Sequence, residues 1–335
     1  MPIRFAINGL GRIGRALVRA SLERPDLELV AANDFAAPEQ IARLLRHDTV
    51  HGKFPGEVGY DAGALVLAGR RVPLHREAEP AKIPWQTSGA RIVVEATGRF
   101  RSRALAQQHL GGSVERVIVS AVADGVDATF CVGINHTSFD PRRHVVVSNA
   151  SCTTNCLAPM ALVLDREFGL ERGLMNTVHC LTNSQNIVDM AHSDPRRARA
   201  ALENIIPTTS DAIASIGLVL PQLQGKIDGL AMRVPVIAGS LVDLTASLAR
   251  PASREAMAAA FRAAEAGELA GILGTTDEEL VSSDFIGDPR SAIVDLPLLE
   301  VVGERLVRVV AWYDNEWGYT HRLADLLALL GGAVE

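Results

Sequence analysis

The chain reads as an α/β protein in two parts. The first is a doubly wound, mostly parallel sheet, and the second is an α+β domain with a largely antiparallel sheet. Three observations carry this expectation. The first half alternates short apolar runs with helical patterns, "IRFAI", "GRALVRASLE", "LELVAAN", then "RIVVEATG", "RVIVSA" and "HVVVSNA". Strand, helix, strand order implies parallel strands with helices on both faces. After Cys156 the runs lengthen and partly alternate, in "GLMNTVHCL", "GLAMRVPV", "GSLVDLTASLA" and "RLVRVVAWYD", as in a sheet with one exposed face. At 335 residues the chain also exceeds the usual size of one core.

Composition narrows the function classes. Hydrophobic residues at 48% and charged residues at 21% fit an ordinary globular protein and argue against long disorder. A net charge of −6 gives no electrostatic reason to expect nucleic acid, whose binding relies on Lys and Arg neutralising phosphates. Charged residues interrupt every apolar window before it could cross a bilayer, so no membrane role is expected. The opening "MPIRFAING" enters an alternating apolar pattern without a charged leader, and a cytoplasmic location is expected. Cys131, Cys152, Cys156 and Cys180 are too few and irregular for a disulfide framework and read as thiols.

The first strand, expected over Ile3–Ile7, runs into Gly9, Gly11 and Gly14 in G-x-G-x-x-G spacing and then into a helix. The first glycine permits a tight turn, the second lets backbone approach a pyrophosphate, and the third lets helix and strand pack closely. The helix start would offer N–H groups, those of Arg12 and Ile13 among them, to phosphate. Asp34 follows Gly14 by twenty residues, at the end of the second apolar run, where a carboxylate accepts hydrogen bonds from an adenosine ribose. Such a carboxylate repels a 2′-phosphate, so NAD is favoured over NADP. The alternative is a plain tight turn with Asp34 as a solvated loop end.

The stretch "SNASCTTNC" leads from a strand into cap-forming residues and then a helical pattern, placing Cys152 near a helix N-terminus. There the dipole and open N–H groups favour thiolate and make sulfur a usable nucleophile. Cys156, one turn on, reads as core. No second Cys/His cluster supplies zinc ligands, so no metal is expected. A Cys152–Cys156 disulfide would have to span one helical turn, which suits the geometry poorly. A nucleophilic cysteine needs a base, and His179 in "LMNTVHCLTNSQ" is the candidate, although a lone histidine at a strand end is more often structural. The closing "YTHRLADLLALLGG" has helical spacing and a Gly-Gly stop.

Taken together, "INGLGRIGR", "SNASCTTNCLAP", "RRARAALENIIPTT", "AMRVP" and "WYDNEWGYTHR" resemble the phosphorylating glyceraldehyde-3-phosphate dehydrogenase family from the first strand to the last helix. A close relative, erythrose-4-phosphate dehydrogenase, shares most of these motifs. The resemblance implies a Rossmann NAD-binding domain over residues 1–151, completed by a C-terminal helix 317–335, a catalytic domain over 152–316, and a homotetramer. It implies that Cys152 attacks a phosphorylated aldehyde, that His179 removes protons, and that inorganic phosphate releases an acyl phosphate from a thioester.

By the same resemblance, Thr182 and Arg233, with Ser184 beside them, bind the substrate phosphate. Ser151, Thr153, Arg197 and Ser210 bind the attacking phosphate. Asn315 holds the nicotinamide carboxamide with Tyr319 nearby, and Arg76, Thr97 and Ser120 join the cofactor set. Without it, Asn315 is a turn residue, Thr97 and Ser120 are strand-end caps, and Arg197 belongs to a solvated charge run. The chain departs from the family pattern at Ser210-Asp211, where Thr-Gly is usual, at Ala238, where asparagine is common, and at Met190-Ala191, where Leu-Pro is common. The competing readings are an enzyme for erythrose 4-phosphate or another phosphorylated aldehyde, and an inactive NAD-binding sensor on the same scaffold.

Overall fold

The structure, a computed structural model, describes residues 1–332. Its contacts divide the chain into two compact units. One holds Met1–Val132, His136–Ala150 and the chain from Thr320 onward, and the other holds Gly133–Asn135 and Ser151–Tyr319.

In the first unit a nine-stranded sheet has Ile3–Asn8 near its middle, flanked by Leu27–Asn33 on one side and Ile92–Glu95 on the other, all parallel. The chain leaves this strand one way first and the other way later, so the carboxyl end of Ile3–Asn8 is a topological switch point. Open α/β sheets bind ligands there. Gly9 turns the chain into helix Arg12–Ser21 at φ +98°, and a Cβ on it would lie 2.8 Å from the Thr97 nitrogen. A Cβ on Gly14 would collide with the Gly9 carbonyl oxygen, whereas Gly11 faces open space. Gly9 and Gly14 therefore sit where no side chain fits, and Gly11 leaves open space at the helix start.

The edge of this sheet is antiparallel. Val58–Asp61, Ala64–Leu67 and Arg70–His75 form two hairpins. Their two-residue turns, Ala62-Gly63 and Ala68-Gly69, have positive φ throughout, at 43° and 83°, then 47° and 81°. Primed turns match the twist of the strands they join. The C-terminal helix, expected over 317–335, runs Trp317–Gly331, and residues 333–335 lie outside the described residues. Its Leu323, Leu326, Leu327 and Leu330 are buried in the same cluster as Phe5, Ile7 and Leu17. Each fully buried leucine contributes about 1.5–3 kcal/mol by leaving water.

In the second unit seven strands follow the order Ile206–Thr208, Ile227–Arg233, Leu170–His179, Ser240–Leu248, Leu306–Tyr313, Ala292–Asp295 and Leu273–Thr276, with Glu300–Val302 paired beside Leu306–Tyr313. Most neighbours are antiparallel. The exceptions are Leu170–His179 on Ile227–Arg233 and Leu273–Thr276 on Ala292–Asp295. Helix Cys152–Phe168 is buried along most of its length, and Gly169 ends it at φ +73°. Among the described residues no helix is long and apolar enough to cross a membrane.

Candidate active site

Sheet register assembles the centre of the second unit. The parallel pairing of Leu170–His179 with Ile227–Arg233 sets His179 opposite Arg233, and the antiparallel pairing of Ser240–Leu248 with Leu306–Tyr313 sets Ser240 opposite Tyr313. Strand ends thus deliver an imidazole, a cation and two hydroxyls to one end of the sheet, and Asn315 follows Tyr313 by two residues. The candidate thiol comes from the helix. Ser151 caps it, its Oγ accepting the Thr154 N–H at 3.0 Å, so Cys152 is the first helical residue.

Cys152 Sγ lies 3.4 Å from His179 Nε2. It is the only cysteine of the four that is not buried. None of the four is in a disulfide. Burial pushes the Cys152 thiol above its ordinary value, against the opposing pull of the Arg233 charge, the Thr153 hydroxyl and the backbone N–H groups of Thr153 and Cys152. The helix start therefore acts in the direction the sequence suggests, but desolvation outweighs it. His179 is 3% exposed, and burial followed by the Arg233 charge lowers its pKa to about 3.

The imidazole has two contacts on its far side. Its Nδ1 is 2.8 Å from the Cys180 carbonyl oxygen and 2.5 Å from Arg233 Nη1, which is itself 3.3 Å from that carbonyl. A guanidinium only donates, so with Arg233 in this place Nδ1 accepts and the ring proton sits on Nε2, towards the sulfur. Base catalysis needs the other tautomer, with Nδ1–H on the Cys180 carbonyl and Nε2 open to the thiol proton. Moving Arg233 onto an anion releases that tautomer and removes the charge that depresses the imidazole.

Arg233 also favours thiolate, because a nearby cation stabilises the anion. Arg233→Gln is therefore expected to move the pH midpoint for iodoacetamide alkylation of Cys152 upward, since the thiol loses a charge that lowers its pKa. Cys131, Cys156 and Cys180 are buried, so alkylation of the folded protein reports Cys152. An unchanged midpoint would show that Arg233 does not act on the sulfur.

The other residues singled out from sequence divide into groups. Thr182 Oγ1 is 2.9 Å from Ser184 Oγ and donates to Gln185 Oε1 at 3.1 Å, so the pair forms one hydroxyl cluster at the end of the His179 strand. Thr153 is 5% exposed and turns its hydroxyl inward, 2.9 Å from Tyr313 Oη, which is 3.0 Å from Thr177 Oγ1. Arg197 Nε lies 3.5 Å from Asp194, and no hydrogen bond among the described residues joins it to Ser151 or Thr153. Ser210 caps helix Asp211–Val219, accepting the Ala212 N–H. Asn315 is 7% exposed and Tyr319 is 5% exposed. Tyr313, Cys180 and Ser240 were not found from sequence, because their signal is strand register, which a single sequence does not print; Gln185, in the turn after the His179 strand, was missed as well.

In the first unit, Asp34 Oδ2 accepts the Leu10 N–H at 2.7 Å and Oδ1 accepts the Ala36 N–H at 2.9 Å, which fastens the carboxylate beside the glycine turn. Arg12 Nη1 donates to Asp48 at 2.5 Å, and Arg76 donates to the Phe35 carbonyl at 3.0 Å. The Thr97 N–H donates to Glu95 Oε1 at 2.8 Å, and the Thr97 hydroxyl donates to the same oxygen. Ser120 N–H donates to the Glu95 carbonyl at 2.9 Å. Gly9, Gly11, Arg12, Ile13, Gly14, Asp34, Thr97 and Ser120 thus gather at or beside the carboxyl ends of the parallel strands. The room at Gly11 and the close packing at Gly9 and Gly14 fit a dinucleotide whose pyrophosphate meets the helix start.

The family model described as glyceraldehyde 3-phosphate dehydrogenase, NAD binding domain, matches residues 3–103, and the one described as glyceraldehyde 3-phosphate dehydrogenase, C-terminal domain, matches residues 151–315. A glyceraldehyde-3-phosphate dehydrogenase of Kitasatospora aureofaciens is 52% identical over 328 residues, 98% of each chain. One of Streptomyces coelicolor is 49% identical over 336 residues, 100% of each chain, and one of Geobacillus stearothermophilus is 48% identical over 330 residues, 98% of each chain. With both family models matched and identity near one half along its whole length, this chain belongs to the glyceraldehyde-3-phosphate dehydrogenase family.

Proposed function

We propose that the protein oxidises glyceraldehyde 3-phosphate to 1,3-bisphosphoglycerate with NAD and inorganic phosphate. The observation that carries this reading is Cys152 Sγ at 3.4 Å from His179 Nε2, with Arg233 as the neighbouring cation. The substrate phosphate binds Arg233, Thr182 and Ser184; Arg pairs bidentately with phosphate and hydroxyls add donors. Drawing Arg233 off the imidazole leaves His179 able to accept the Cys152 proton. The sulfur then adds to the aldehyde carbon to form a thiohemiacetal. Donors around Cys152, its own N–H and His179 Nε2, stabilise the developing oxyanion. The chemistry supplied by bound NAD is acceptance of a hydride. His179 passes the thiol proton to that oxyanion, giving the thiohemiacetal hydroxyl, and takes it back as carbon is oxidised, so that Cys152 is left as a thioester. Phosphate attacks that acyl carbon, and the Cys152 sulfur leaves.

Ser151, Thr153, Arg197 and Ser210 form the subsite of the attacking phosphate. Support comes from Ser151 and Ser210, which cap two helices whose N-termini favour an anion. Asp211 opens the second of these helices and opposes that charge. The cofactor side is Gly9, Gly11, Arg12, Ile13, Gly14, Asp34, Arg76, Thr97 and Ser120, with Asn315 and Tyr319 at the nicotinamide. In this reading residues 1–151 with the helix from 317 bind NAD, and 152–316 carry the chemistry. A homotetramer is supported by apolar side chains left open on the second unit, among them Leu174, Ile187, Val188, Met190 and Ile205, each more than 60% exposed. A cytoplasmic location is supported by four cysteines without a disulfide.

Purified protein assayed with glyceraldehyde 3-phosphate and NAD tests the reading. NADH formation beyond the first turnover is expected to require inorganic phosphate, because the thioester otherwise waits on slow hydrolysis. Equal steady rates with and without phosphate would overturn the phosphorolytic step. A higher kcat/KM with erythrose 4-phosphate would overturn the substrate.

A further inference from the structure

Cys180 follows the proposed base but its side chain takes no part in the chemistry above. It is fully buried, and its thiol lies 3.1 Å from Asn315 Oδ1. Ser240 Oγ accepts the Cys180 backbone N–H at 3.2 Å and stands 3.3 Å from the same Oδ1. The Ser240 hydroxyl is placed to donate to that oxygen. Burial, chiefly, pushes the Cys180 thiol up to about 12, so at neutral pH it too is a donor.

The two donors favour this facing of the amide. A flipped Asn315 would take the acceptor away from the Cys180 S–H and set an N–H group against sulfur, a weak acceptor. The Nδ2 group therefore points the other way, and no described residue accepts from it, although Asn315 is only 7% exposed. A nearly buried amide with its oxygen pinned and its nitrogen unclaimed recognises an acceptor on a ligand, not a donor.

We propose that Cys180, together with Ser240, is a positioning residue that locks Asn315 as a hydrogen-bond donor and so makes the site select the carbonyl oxygen of the nicotinamide carboxamide. This rests on the reading above that Asn315 meets the nicotinamide. No covalent or redox change of Cys180 is involved.

The test compares NAD with its 3-acetylpyridine analogue, which keeps the ring carbonyl but has no amide N–H. Dissociation constants are measured by calorimetry on the wild type and on Cys180→Ala, Cys180→Ser and Asn315→Ala, with melting temperatures as a check on folding. Wild type is expected to bind both through the shared carbonyl. In Cys180→Ala only Ser240 still holds the amide, which then flips in part, and its oxygen can take a donor from NAD but nothing from the analogue. The analogue should lose about tenfold more affinity than NAD, the scale of one hydrogen bond. Cys180→Ser restores a donor and should recover the wild-type ratio.

Equal losses for both ligands in Cys180→Ala, without recovery in Cys180→Ser, would reduce Cys180 to a packing role and overturn the proposal. So would an unchanged ratio in both variants. If Asn315→Ala leaves both constants unchanged, the assignment of Asn315 to the nicotinamide fails instead, and that result is separable from a failure at Cys180.

Discussion

Replacing Cys152 with serine is expected to lower kcat for NADH formation by roughly 10⁴-fold or more, the scale on which loss of a covalent nucleophile is felt. The reason is chemical rather than structural. A serine fits the space at the head of helix Cys152–Phe168, and the Ser151 cap that starts this helix is untouched. An alkoxide, however, is far harder to form than a thiolate beside a buried imidazole. An oxygen ester would also hold the acyl group at lower energy than a thioester does, so transfer to phosphate slows even if the ester forms. NAD affinity should change little. Steady-state kinetics with calorimetric NAD titration checks both halves. Turnover within tenfold of wild type would remove the nucleophile assignment.

His179→Asn is expected to cost about 10²–10⁴-fold in kcat, the range for a positioned general base. Asparagine keeps a polar group near the sulfur but cannot take its proton at neutral pH. Alkylation of Cys152 in this variant separates proton removal from later steps. The wild-type imidazole, lowered to about 3 by burial and by Arg233, is neutral across the working pH range and thus free to accept a proton whenever Arg233 is drawn away. Phosphorylated substrate should accordingly restore less activity to Arg233→Gln than to wild type. In His179→Asn, activity at higher pH should recover in part, because hydroxide can replace the missing base. A flat profile at wild-type height would exclude His179 from the chemistry.

The cradle was legible in part because Gly14 answers a local steric demand. A Cβ there would meet the Gly9 carbonyl within one turn, whereas Thr97, which a Cβ on Gly9 would meet, comes from a strand end remote in sequence. Cys152 was legible for the same reason: a capping serine and a helical pattern place it at a helix start. The antiparallel edge of the first sheet was not. Its turns are Ala62-Gly63 and Ala68-Gly69, with alanine in the left-handed region where asparagine or aspartate would have signalled a hairpin.

Contacts that depend on register were also hidden. His179 faces Arg233, and Ser240 faces Tyr313, across strands far apart in sequence. A one-residue slip would turn each side chain to the other face, and nothing local records which register wins. The balance at the thiol went unread as well. The helix start favours thiolate as expected, yet burial outweighs it, and burial is a property of the packed unit rather than of "SNASCTTNC".

The most direct measurement is mass spectrometry of protein quenched within one turnover after mixing with glyceraldehyde 3-phosphate and NAD in phosphate-free buffer. An acyl group matching the oxidised substrate should appear on the peptide that carries Cys152, and adding phosphate before the quench should discharge it. NADH released in full with Cys152 unmodified, or an acyl group on any other residue, would contradict the account.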